Sequence, residues 1–167
     1  MKKLFFNMLI FIVVVAIMII LLLSAGTDQG AKYVYKNNIK YQQIKMKPKE
    51  YQCSECSMDI ENLAYAAQII LKNGDTYFFD EIGCVILWLQ THQVDKIKIL
   101  TKTLDTKKWV KAEKAWYTRI ASTPMGYGFA SNEYQLKDNI AYDKMKILML
   151  QGQNLHDPFV KKNLLGK

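Results

Sequence analysis

Cys53-x-x-Cys56-x-Met58 is the one local pattern in this sequence with a chemical reason behind it. Two thiolates at that spacing can converge on a single ion, and a thioether two residues later adds a second kind of soft donor. Soft sulfur ligands favour Cu(I), whereas zinc asks for four ligands rich in nitrogen and sulfur, and the hard cations ask for oxygen. A C-x-x-C by itself also serves disulfides, zinc sites and redox enzymes. A structural disulfide across so short a loop would restrain little of the unfolded chain. A thiol-disulfide oxidoreductase normally sets its pair at a helix N-terminus, which lowers a thiol pKa, and here the pair precedes a strand hairpin. Zinc would need more ligands, and Cys84, His92 and His156 stand at no second C-x-x-C spacing. The pattern reads as a Cu(I) site of Cys53, Cys56 and Met58, with an oxidoreductase acting through Cys53 and Cys56 as the alternative from another class.

Met125 lies in a Pro124-Met125-Gly126 turn, an unusual place for a core residue. It is a further candidate ligand, against the reading that it packs on Trp116 or Tyr127. Cys84 reads as a buried helix cysteine, His92 as a surface residue in a last helical turn, and His156 as a solvent-facing residue in a polar tail. No GxSxG, HExxH or phosphate-binding glycine loop occurs, and two histidines supply no evident acid-base set. The chain is therefore read as a binding protein and not an enzyme.

The elements that must position these residues begin with an apolar run. Residues 4–23 read LFFNMLIFIVVVAIMIILLL, with Asn7 the only polar side chain, long enough as a helix to cross a bilayer. Lys2 and Lys3 precede it, which predicts a cytoplasmic N-terminus and export of everything after the run. A cleaved signal peptide ending before Thr27 is the rival, although its usual apolar region is shorter. The expected organisation is an anchor over 1–25, a basic polar linker over 26–50, a metal-binding domain over 51–152 and an irregular tail over 153–167.

Within the domain, Asn73-Gly74 between AYAAQIIL and TYFFD is a strong hairpin signal. Asp80 is placed to cap a helix over 81–92, in which Ile82, Val85, Ile86 and Leu89 share one face. KIKILTK alternates as a strand, giving β-β-α-β. A second cycle starts near Trp109, with strands in WVKAEKAWYTRIA and YGFA and a helix over 133–150. The fold class is α+β: an N-terminal transmembrane helix, then two β-β-α-β units that read as a duplication.

The formal charge of +8 is uneven. Residues 26–50 carry six lysines against Asp28 and Glu50, and only +2 is left for 51–167. The basic stretch reads mainly as a solvated linker, with anionic headgroups as its other partner. An exported domain without a basic face is no nucleic-acid binder.

Four spaced motifs together resemble the NosL family, copper-binding accessory proteins of nitrous oxide reductase maturation. They are Cys53-x-x-Cys56-x-Met58, Tyr77-Phe78-Phe79-Asp80 with Ile82-Gly83-Cys84, Trp109 to Tyr117, and Pro124-Met125-Gly126-Tyr127. The resemblance, over about Tyr51 to Leu150, implies paired β-β-α-β units and a periplasmic Cu(I) carrier. Its partners would be a copper donor and a copper acceptor enzyme such as nitrous oxide reductase. It also implies that Cys56 and Met58 form the metal-binding CxM element. Two departures matter: no lipid-anchor cysteine follows the apolar run, so an inner-membrane, single-pass helix would replace that tether, and Ser57 stands where glycine is common.

Overall fold

The computed structural model describes residues 2–25 and 32–166. The alternative cleavage point before Thr27 lies outside them. The chain divides into two units, Met1–Gly30 and Ala31–Lys167.

In the first unit α1 (Lys2–Ala25) is one helix of 24 residues, about 36 Å long at the usual rise. Among the described residues no helix is long and apolar enough to cross a membrane. The span expected over 4–23 therefore stands as an expectation from the sequence.

The second unit is α+β with two antiparallel sheets. The first contains β1 (Val34–Tyr35), β2 (Ala67–Leu71), β3 (Thr76–Phe79), β4 (Lys96–Lys102) and β5 (Trp109–Lys111), in the order β1-β3-β2-β4-β5. The Asn-Gly hairpin forms as its sequence predicts. Gly74 takes the left-handed conformation at φ 82° and the Asn73 side chain accepts the Asp75 amide at 2.9 Å. β2 is central and buried at all five positions, which explains its near-continuous apolar run. α2 (Ile82–Thr91) follows β3 and buries Ile82, Val85 and Ile86 as the spacing requires. Its N-cap is Glu81, without a side-chain capping bond. The capping role expected of Asp80 is therefore not taken up, because its carboxylate turns toward the cysteines instead.

The solvated linker expected over 26–50 needs correcting for its described part. Gln68 is fully buried in β2, and a buried amide must find partners. It accepts the Ile44 amide at 3.0 Å and donates to the Ile44 carbonyl at 2.7 Å. Ile44 and Met46 pack against the core, and β1 pairs with the edge strand β3. Residues 32–50 thus belong to the folded unit.

The second sheet holds β6 (Trp116–Thr118), β7 (Ala130–Asn132) and β8 (Ile140–Ala141) in the order β7-β6-β8, followed by α3 (Tyr142–Leu150) and α4 (Pro158–Leu165). The first half keeps the β-β-α-β order, and the second departs from it. Trp109–Lys111 joins the first sheet through β4, and no strand follows α3 among the described residues. The strand expected in YGFA starts only at Ala130, since Gly126 and Gly128 take positive φ. The helix expected over 133–150 starts at Tyr142. Before it, the Asp105 carboxylate captures the amides of Glu133 at 2.9 Å and Tyr134 at 3.1 Å, and β8 pairs with β6. The tail is not irregular either. Asp157 caps α4 by accepting the amides of Phe159 and Val160, Pro158 opens it, and Gly166 closes it at φ 69°.

Candidate metal centre

A turn over 51–60 is pinned to the end of β3. Tyr51 stacks on Phe78 with ring centroids 3.7 Å apart, and the Ser54 amide donates to the Phe78 carbonyl at 2.8 Å. Within the turn the Cys53 amide donates to the Met58 carbonyl at 2.8 Å, and the Ser57 amide to the Cys53 carbonyl at 2.9 Å. These bonds curl the chain so that backbone N–H groups face sulfur. The Cys56 and Asp80 amides donate to the Cys53 sulfur, and the Met58 amide to that of Cys56. Such donors favour thiolate over thiol.

The turn closes only because Ser57 adopts φ 64°, a left-handed conformation that costs a residue with a Cβ roughly 1–2 kcal/mol. Ser57 is exposed, so little is lost by removing its side chain. Ser57→Gly is expected to stabilise the domain by roughly 1 kcal/mol, a rise of about 3 °C in melting temperature. A thermal melt showing no rise would contradict this account of the turn.

Two further groups arrive from the junction of β3 and α2. Asp80 directly follows the strand and Cys84 lies in the first turn of the helix. The sulfurs of Cys53, Cys56 and Cys84 and a carboxylate oxygen of Asp80 all lie within 4.8 Å of one another. Cys53 and Cys84 are fully buried, Asp80 nearly so, and Cys56 is half-buried. All three cysteines are free. Cys56 Sγ donates to Asp80 Oδ2 at 3.6 Å, while the buried Asp80 Oδ1 has no hydrogen-bond partner. A buried, half-satisfied carboxylate is costly unless a cation joins it, and three adjacent sulfurs supply the rest of a cation site.

The thiols are not equivalent. Cys84 donates its S–H to Cys53, which pulls the Cys53 pKa below the ordinary thiol value despite burial and pushes that of Cys84 far up. Burial pushes the Cys56 thiol up to about 12.

Above α2 sits the turn that carries Met125. The buried Glu81 carboxylate accepts the Met125 amide at 2.8 Å, and His156 Nε2 meets the Met125 carbonyl. Burial lifts Glu81 to about 7 and Tyr127 to about 12. Gly83 admits this turn, because a Cβ there would meet Tyr127 Cδ2 at 2.5 Å. Met58 is 45% exposed and, with Asp59, Glu61, Asp80, Thr123 and Pro124, lines an open cavity of about 550 Å³. Met125, next to Pro124, is half-buried against the core.

The structure thus brings Cys53 and Cys56 together as the spacing predicts, and adds Asp80 and Cys84, which the sequence placed as a cap and a core residue. Neither His92 nor His156 joins the cluster. His92 stacks on Trp88 at the end of α2, and His156 packs on Tyr127.

No protein-family model matches the chain, and no curated protein matches it. Among solved structures it is similar to the crystal structure of the copper chaperone NosL from Shewanella denitrificans. The two share 12% identity and a TM-score of 0.47, over 66% of this chain and 87% of that one.

Proposed function

We propose that this protein is a carrier that takes Cu(I) as cargo. The observation behind this reading is the meeting of three cysteine sulfurs with the unsatisfied Asp80 carboxylate inside 4.8 Å. Cu(I) is stable with two or three thiolates, so Cys53, Cys56 and Cys84 make a complete soft set. Half-buried Cys56 and exposed Met58 form the route out, with Met125 as a further thioether at the same end. A partner's ligand entering beside Met58 could exchange with Cys56 while Cys53 and Cys84 still hold the ion. By its apolar N-terminal run, the domain would be held in the periplasm by a single inner-membrane helix. By its resemblance to NosL proteins, its client would be a copper enzyme such as nitrous oxide reductase.

A zinc site is the second reading, favoured by one observation: Asp80 makes the donor set four, the number zinc asks for. The oxidoreductase fits less well. Cys56, the only partly accessible thiol of the three, is raised to about 12 by burial, the reverse of an activated nucleophile. To test the assignment, the reduced full chain in detergent would be titrated with Cu(I) and Zn(II) against competing chelators. One equivalent of Cu(I), displacing any bound Zn(II), is expected. Zinc retained against equimolar Cu(I) would replace the carrier with a structural zinc protein.

A further inference from the structure

The stretch that the sequence offered as a linker has a surface of its own. Lys32, Lys36 and Lys40 alternate along it with Tyr33, Tyr35 and Ile39, and all six side chains are exposed. The apolar members are prominent: Tyr33 is 53% exposed and Ile39 75%. Tyr35, Ile39 and Lys40 line one shallow groove of about 310 Å³. Because β1 pairs with β3 and Asn38 donates to Gln42 and Thr76, these side chains are fixed to the domain and do not hang on a loose tether.

The charges are also available. Lys36 pairs with Asp75 and Lys49 with Glu61. Among the described residues no carboxylate lies within ion-pair distance of Lys32 or Lys40. Lys32 and Lys40, unneutralised and set among Tyr33, Tyr35 and Ile39, make a combination that suits the headgroup layer of an anionic bilayer. The ammonium groups meet phosphate, and the rings and the aliphatic side chain enter the boundary with the acyl chains. Lys32 follows Ala25 by seven residues, a tether of at most about 25 Å, so a helix inserted over 4–23 would hold the patch near such a surface.

We propose that residues 32–40 are a docking surface for anionic phospholipid, by which the domain lies down on the membrane in a fixed orientation. The proposal rests on the anchoring of α1 for its geometry, though not for its chemistry. A domain held in this way would present its metal centre to partners at a set height and angle, and not at the end of a free stalk.

The test uses the full chain in nanodiscs of phosphatidylcholine alone or mixed with phosphatidylglycerol, with amine labelling read residue by residue. Lys32 and Lys40 should label at least about fivefold more slowly on the anionic discs, the ratio that roughly 1 kcal/mol per basic residue corresponds to. Lys144 and Lys161 serve as references. The protection should vanish at high salt and in the Lys32→Glu/Lys40→Glu variant, and Ile39→Asp should reduce it. Equal labelling on both discs would overturn the docking surface while leaving the anchor intact. A chain that washes off the discs in carbonate would refute the anchor instead. The surface would then be read from cosedimentation with the same two lipids as vesicles, where equal binding overturns it.

Discussion

Cys84→Ala is expected to weaken Cu(I) binding by at least the roughly 10–100-fold that loss of an outer-shell partner costs a metal site, since a ligating sulfur is being removed. Cys53→Ala should cost more still. Its sulfur is hydrogen-bonded to Cys84 and receives the amides of Cys56 and Asp80, so removing it takes away a donor and unties the other two. Cys56→Ser should fall between these, and Met58→Leu should change affinity least while slowing transfer to an acceptor. The sequence suggests another ranking: Cys56 belongs to the C-x-x-C pair and, by the resemblance, to the C-x-M element, which makes it the costliest loss, while Cys84 reads as a buried helix cysteine. Cys84→Ala therefore separates the two rankings. Competition with a chelator for Cu(I) supplies the measurement, and a thermal melt of each variant guards against simple unfolding. Copper affinity unchanged in Cys84→Ala, with the melt intact, would return Cys84 to the core and leave a two-cysteine site.

Why Cys53 and Cys56 could be read and Asp80 and Cys84 could not is a matter of sequence distance. The first pair lies three residues apart on one turn, so local geometry alone makes their sulfurs neighbours. Asp80 and Cys84 join them across more than twenty residues. That step requires the turn over 51–60 to dock on β3 through Tyr51–Phe78 stacking and the Ser54–Phe78 hydrogen bond, and no periodicity encodes such docking. The first sheet was legible because each element carries its own signal: Asn-Gly at the hairpin, the alternation in KIKILTK, the helical spacing of Ile82, Val85 and Ile86. The helix starts at Tyr142 and not at the expected 133 because of a competition the pattern cannot see, in which Asp105 takes the amides that would have opened an earlier helix. The α4 signals stand in the sequence, since Asp157-Pro158 and Gly166 are ordinary helix start and stop residues. Gln68 is the reverse case, a polar residue in an apolar strand whose reason lies in Ile44, far away in sequence.

Alkylation of the metal-free, reduced protein should mark Cys56 slowly and leave Cys53 and Cys84 unmarked, where an exposed dithiol would show fast labelling of the C-x-x-C pair. Cys53 and Cys84 are fully buried, so a reagent must wait for the domain to open, and native-state opening suppresses reaction in proportion to its cost. Cys56 is accessible in part, but burial raises it to about 12. Near neutral pH it then carries on the order of a thousandfold less thiolate than an ordinary cysteine. The stronger nucleophilicity of a more basic thiolate recovers part of that loss, leaving a rate roughly fiftyfold below a free thiol. The sign of the pH dependence follows. Only the thiolate reacts, so the Cys56 rate should climb about tenfold per pH unit from 7 to 10 without levelling. Loading with Cu(I) should abolish the reaction at every pH, because the ion occupies the sulfur that the reagent needs. Mass spectrometry after timed quenching would read all three sites at once. A Cys53 or Cys56 that labels rapidly, with a rate already level by pH 7.5 and indifferent to copper, would show an activated thiol of the kind a thiol-disulfide enzyme requires, and the carrier reading would give way to it.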